Sequence, residues 1–242
     1  MAKMIIFDLD GTCWDSEPET ARADAKAFEA IGWHHKDAAH IILTEMRGFS
    51  SRAKFDAMSK VLDRAGTEDD YVQYRALRSK TMDECFERDI FPLMPGITEF
   101  LAYLHTQPET WLASISNNPV ERSRTGIRRK FLDKYIPARL TFGPGTHGRA
   151  KPAPDMITYA RRLQGIGADR TIMVGDSAAD MLAARADGSW AVAYLPQDSH
   201  NFIGRSAELI AAGAHTILTA FSKENWEQVM TMKSSPAPRC KI

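Results

Sequence analysis

The stretch Met4-Ile5-Ile6-Phe7-Asp8-Leu9-Asp10-Gly11-Thr12 decides the fold. Met4 to Phe7 is an apolar run of strand length without polar alternation, the pattern of a strand buried on both faces of a parallel sheet. Asp8 and Asp10 follow where the chain leaves that strand, and residues two apart on an extended chain point the same way. Ligand sites of open α/β sheets lie outside the carboxyl ends of the strands, so both acids are expected in the crevice, with Gly11 free to take the backbone of a tight turn. A plain strand and glycine turn would also account for these residues, so their meaning depends on the rest of the chain.

Further apolar runs at Trp111 to Ile115, Thr171 to Val174, Trp190 to Tyr194 and Ala214 to Thr219 alternate with helical stretches. Alternation of this kind predicts a parallel sheet with crossover helices. Between Asp15 and Pro92 there is no strand-like run, only Ala-, Arg-, Asp- and Met-rich sequence with helical periodicity. A crossover needs only about a dozen residues, so the excess predicts an inserted helical subdomain. The expected organisation is a Rossmann-like α/β core of residues 1–14 and 93–232, an α-helical cap of residues 15–92, and a disordered tail at 233–242, where Ser-Ser-Pro-Ala-Pro lacks periodic apolar residues.

The chain has 242 residues, with 31 basic and 31 acidic side chains, so it offers no overall field for a polyanion or a membrane surface. A hydrophobic share of 44% and a charged share of 26% fit a folded globular protein rather than a disordered or fibrous one. Cys13, Cys85 and Cys240 are odd in number and widely spaced, which supports neither a disulfide framework nor a zinc knuckle. No segment approaches the roughly 18 apolar residues of a membrane span, and Met4 to Phe7 is too short for a signal peptide, so a cytoplasmic location is expected.

Two more clusters fall at predicted strand ends, and a third on a loop. Gly175-Asp176-Ser177-Ala178-Ala179-Asp180 places Asp176 and Asp180 one helical turn apart, a spacing that also suits an N-cap and the first turn of a helix. Hard oxygen donors from separate strand ends, with no His or Cys nearby, suit magnesium better than zinc. Ser116 ends the run from Trp111 and offers a hydroxyl, while Asn118, Pro119 and Glu121 read as a helix start. Lys151 in Lys151-Pro152-Ala153-Pro154-Asp155 follows the glycine-rich loop Gly143 to Gly148, and a cation on a stiff loop beside carboxylates can neutralise a transferring phosphoryl group.

Taken in order, Asp8-Leu9-Asp10-Gly11-Thr12, Ser116-Asn117, Lys151-Pro-Ala-Pro-Asp155 and Gly175-Asp176-Ser-Ala-Ala-Asp180 resemble the four motifs of the haloacid dehalogenase-like hydrolase superfamily. Asp15-Ser16-Glu17-Pro18 and the helical insert look like its phosphatase branch with a cap after the first strand, which includes phosphoglycolate phosphatases and β-phosphoglucomutase. The resemblance implies a magnesium-dependent phosphomonoester hydrolase acting on a small phosphorylated metabolite. Asp8 would be the nucleophile that forms an aspartyl-phosphate, and Asp10 the general acid and base. Asp8, the Asp10 backbone carbonyl and Asp176 would hold Mg2+, with Asp180 as a further ligand or in the outer shell, while Gly11, Thr12, Ser116, Asn117 and Lys151 would form the phosphate cradle. A phosphomutase keeps the same four motifs and is the alternative within the family. A receiver-type phospho-accepting signalling module is the alternative outside it, though such modules are about half this length and lack a helical insert. The second acid, Asp10, argues against a dehalogenase.

Cys13 and Trp14 stand where the family usually has smaller aliphatic residues. Trp14, together with Arg47 in the loop-like segment Met46 to Arg52, is a candidate for substrate specificity. Lysines of the insert such as Lys26, Lys36, Lys54 and Lys60 are not marked out for Schiff-base chemistry. His34-His35 and the basic run Arg122 to Lys130 are expected at the surface, and the Met and Trp residues of the insert in its core. The expected partner is a small metabolite, with neither nucleic acid nor membrane, for a monomer or homodimer.

Overall fold

The computed structural model describes residues 3–46 and 49–231. Arg47 and the segment 233–242, including Cys240, lie outside the described residues. The chain divides into two compact units, one made of Met1–Trp14 and Leu93–Ile242 and the other of Asp15–Pro92.

The first unit contains a six-stranded sheet in the order β3-β2-β1-β4-β5-β6, with every pairing parallel. The strands are β1 (Lys3–Phe7), β2 (Thr110–Ile115), β3 (Thr141–Phe142), β4 (Thr171–Gly175), β5 (Trp190–Tyr194) and β6 (Thr216–Leu218). The α/β fold class expected from the sequence is the one observed. β1 is central, and its Met4, Ile5, Ile6 and Phe7 are at most 2% exposed, which is why the run carries no polar alternation. On one face Met4 and Ile6 join Ala113, Ile115, Met173, Met181 and Leu209 in a single apolar cluster. On the other, Phe7 meets Phe100 edge-on, and Phe100 continues the aromatic packing to Phe221 and Trp226. Because the chain proceeds from β1 to β2 on one side and reaches β4 on the other, the strand order reverses beside β1, the place where open α/β sheets set their ligand sites.

Helices α5 (Ile97–His105), α6 (Val120–Arg129), α7 (Asp155–Leu163), α8 (Ala178–Asp187), α9 (Phe202–Ala211) and α10 (Lys223–Thr231) complete this unit. The basic run on α6 departs from expectation, because Arg122 and Lys130 are buried. Arg122 is drawn inward by a hydrogen bond from Nη1 to Asn118 Oδ1 at 3.3 Å, and its aliphatic stem can be buried while the head is paired.

The second unit consists of α1 (Glu17–Ala30), α2 (Ala38–Glu45), α3 (Ser51–Val61) and α4 (Glu68–Arg88). Its core stacks Phe28 on Trp33 and Tyr74, with Phe55 beside them and Met46, Met58 and Met82 also buried. At its centre lies Asp24, fully buried, accepting from Lys54 Nζ at 2.9 Å, Tyr74 Oη at 2.7 Å and Arg78 Nε at 2.6 Å. A carboxylate taken out of water is tolerable only when paired and hydrogen-bonded on both oxygens, and here α1, α3 and α4 each contribute a member. Lys54 is thereby committed to an ion pair rather than left to react. Among the described residues no helix is long and apolar enough to cross a membrane.

Candidate active site

Three strand ends, those of β1, β2 and β4, and the loop before α7 supply the polar residues of the site. The Asp8 N–H donates to Val174 O at 2.8 Å, tying the end of β1 to β4. The chain then folds back on itself, with Leu9 O accepting from the N–H groups of Thr12, Cys13 and Trp14. Gly11 is required twice over. Its φ is +75°, and a Cβ built there would lie 2.3 Å from Asp176 Oδ2. The turn of the first motif therefore packs against the carboxylate of the last.

Lys151 is the hub. Its ammonium donates to Asp8 Oδ1 at 2.7 Å, Asp180 Oδ1 at 2.6 Å and Ile115 O at 3.2 Å, which engages all three of its protons. Burial alone would lower the basicity of Lys151, but Asp180 and Asp8 outweigh it and hold the group above the ordinary lysine range. The Lys151 main chain is gripped by Asn117, whose Oδ1 accepts from Lys151 N at 2.8 Å and whose Nδ2 donates to Lys151 O at 3.0 Å. The Lys151–Pro152 peptide is cis.

Asp180 serves two purposes that the sequence left as rivals. Its Oδ2 accepts from the N–H and Oγ of Ser177, at 3.1 and 2.6 Å, in the capping box of α8, while its Oδ1 holds Lys151. Asp8, Asp176 and Asp180, all buried, bring carboxylate oxygens within 4.8 Å of one another. Burial pushes the Asp8 carboxyl well above the usual range; Lys151 opposes this, while Asp180, Asp176 and Asp10 reinforce it. Several buried carboxylates around one lysine carry surplus negative charge, and their hard oxygens fit a divalent cation such as magnesium.

The Asp10 side chain is not part of that group. Its Oδ1 accepts from Trp14 Nε1 at 3.1 Å and its Oδ2 from Asn118 Nδ2 at 2.6 Å. Trp14, a specificity candidate, is fully buried. Cys13 is buried too, and burial, with Asp8 and Asp10 adding to it, raises its thiol far above the range of a reactive cysteine. Ser116 Oγ accepts from the Asn118 N–H at 3.0 Å, leaving its own O–H to donate, and the buried Thr12 Oγ1 has no hydrogen-bond partner among the described residues.

The sequence profile of haloacid dehalogenase-like hydrolases matches residues 2–188. This chain belongs to that family. The hydrolase is 28% identical over 194 residues to a phosphoglycolate phosphatase of Pseudomonas fluorescens, covering 80% of this chain and 69% of that one. In fold it is similar to a hydrolase of the same superfamily from Deinococcus radiodurans, solved with bound phosphate and sodium (TM-score 0.72, 22% identity, 98% and 99% of the two chains). It is also similar to a putative β-phosphoglucomutase from Thermotoga maritima (TM-score 0.66, 18% identity, 95% and 99% covered). Membership sets aside the receiver-module alternative.

Two residues of this hydrolase's crevice escaped the sequence reading. Asn118 was accounted for as part of a helix start, but Pro119 occupies the N-cap of α6 and the Asn118 amide turns to Asp10. Arg205 on α9 donates from Nη2 to Asp176 O at 3.1 Å and lies 3.5 Å from Asp176 Oδ2. It belongs to no motif, and only the fold of α9 reveals it.

Proposed function

We propose that this hydrolase is a magnesium-dependent phosphatase that releases inorganic phosphate from a small phosphorylated metabolite through an aspartyl-phosphate on Asp8. The observation that carries the reading is the buried Lys151 ammonium bridging Asp8 and Asp180 beside Asp176.

A carboxylate oxygen of Asp8 attacks phosphorus, forming the Asp8–phosphoryl bond as the bond to the substrate oxygen breaks. Asp10 gives its proton to the departing alkoxide. It then takes a proton from the water that attacks phosphorus, breaking the bond to Asp8 and freeing phosphate. Lys151 and the Ser116 hydroxyl stabilise the charge on the transferring group, and Lys151 also keeps Asp8 in line. Magnesium, held by Asp8, Asp176 and Asp180 with the Asp10 backbone carbonyl, would supply charge neutralisation between the nucleophile and the anionic phosphoryl oxygens. Gly11 and Thr12 provide the turn backbone, and Asn117 sets the position of Lys151. The 15–92 insert and Arg47 carry substrate selection, and the enzyme works in the cytoplasm on a metabolite rather than on nucleic acid or membrane.

The named relatives make 2-phosphoglycolate the first substrate to try. Phosphate release is measured from 2-phosphoglycolate and a panel of sugar phosphates, with magnesium and with a chelator. Magnesium-dependent release from at least one of them is expected. Conversion of β-glucose 1-phosphate to glucose 6-phosphate without free phosphate would replace the phosphatase by a mutase, and no reaction with any phosphate ester would overturn both.

A further inference from the structure

Asp10 is held from both sides by donors that are themselves held. Trp14 Nε1–H reaches Oδ1 at 3.1 Å from a fully buried indole, and the Trp14 backbone is fixed by bridges to Asp10 and Leu93. Asn118 Nδ2 reaches Oδ2 at 2.6 Å. The orientation of that amide follows from Arg122, since a guanidinium can only donate, so the oxygen facing Arg122 Nη1 at 3.3 Å must be Oδ1 and the amino group must face Asp10. The Asn118 main chain is pinned as well, by its N–H on Ser116 Oγ at 3.0 Å. A carboxylate offers about four lone-pair directions, so two fixed donors leave the others aimed by the protein rather than by chance rotation.

We propose that Trp14 and Asn118 are positioning residues that aim the Asp10 carboxyl for proton delivery to the leaving group. The proposal rests on the acid–base role given to Asp10 above. Trp14 thereby has a role inside the core chemistry rather than in substrate fit, and Asn118 one beyond the helix start. A general acid is worth about 10²- to 10⁴-fold, and misplacing a catalytic group by about 1 Å forfeits a large part of that.

The test compares the first turnover of an alkyl phosphate that the enzyme accepts, whose leaving alkoxide needs the proton, with that of p-nitrophenyl phosphate, whose leaving group departs as a stable anion. The variants are Asp10→Asn, Trp14→Phe and Asn118→Ala, each checked for a wild-type melting curve. Asp10→Asn is expected to slow the alkyl ester by about 10²-fold or more while sparing the p-nitrophenol burst. Trp14→Phe and Asn118→Ala are expected to shift the alkyl-to-aryl rate ratio the same way, by about 10-fold or more. Equal slowing of both esters, or no change, in the two positioning variants while Asp10→Asn discriminates would overturn the proposal and leave the acid role of Asp10 standing. A failure of Asp10→Asn itself to discriminate would overturn that role and the proposal together. Asn118 is only partly buried, so Asn118→Ala decides the matter if Trp14→Phe does not fold.

Discussion

The side-chain amide of Asn117 closes two hydrogen bonds on the main chain of Lys151, across 34 positions of sequence. The pair acts as a short clamp between the end of β2 and the loop before α7, and it fixes where the Lys151 ammonium stands against Asp8. Asn117→Ala removes the clamp without removing a charge. We expect kcat to fall about 10- to 100-fold with a smaller change in KM, because the loss is one of positioning. Steady-state kinetics with any accepted phosphate ester checks this, and an unchanged kcat would show that the clamp is redundant.

The clustered carboxylates predict a metal-linked stability. A ligand that binds only the folded state adds about 2.7 kcal/mol when present at a hundred times its Kd, which raises Tm by roughly 5–10 °C for a chain of this size. Magnesium is expected to produce such a shift in the wild type and little in Asp176→Asn. Differential scanning fluorimetry without substrate reads it directly.

Asp24 predicts the stability of the helical insert. Removing it strands Lys54, whose side chain is 5% exposed, and takes from Tyr74 and Arg78 the bonds they make to this carboxylate. Asp24→Ala should cost about 3–5 kcal/mol, the range for breaking a buried pair. Lys54→Met should cost less, because Asp24 keeps Tyr74 and Arg78. Urea denaturation followed by tryptophan fluorescence ranks the two, and the reverse order would contradict the assignment of Asp24 as the centre.

His215 predicts a pH dependence away from the crevice. Arg185 Nη1 lies 2.6 Å from His215 Nε2, and the Ala191 N–H donates to His215 Nδ1 at 2.9 Å, so donors face both ring nitrogens. Burial, then Arg185, pulls its pKa below the ordinary 6.5, with the Ala191 main chain opposing in part. A histidine with a lowered folded pKa binds its proton more readily when unfolded. It therefore contributes stability above about pH 6.5 that is lost as the pH falls below it, through the lowered folded value. Melting curves from pH 8 to 5 should show a steeper acid loss in the wild type than in His215→Gln, and parallel curves would refute it.

Much of this architecture was legible in the chain. The strands β1, β2, β4 and β5 show as apolar runs because both faces of the sheet are covered, and the acids at their ends follow from the parallel topology. β3 was not legible, since two residues, Thr141 and Phe142, carry no period. The burial of Arg122 was hidden because a run of basic residues reads as surface until the partner, Asn118 Oδ1, is known. Arg205 and the donors on Asp10 are tertiary facts, made by residues whose local roles in helix or turn account for them without a site. Asp180 shows the opposite case, in which a local cap and a site contact are the same side chain.

Asp8 is the residue on which the proposed chemistry turns. The enzyme is mixed with an accepted phosphate ester and magnesium, quenched in acid within the first turnover, and reduced with borohydride, which converts an aspartyl-phosphate to homoserine. Peptide mass spectrometry is expected to find homoserine at position 8 in the wild type, in substrate-dependent fashion, and none in Asp8→Asn. Turnover without a label at Asp8, or a label on another residue, would contradict the account.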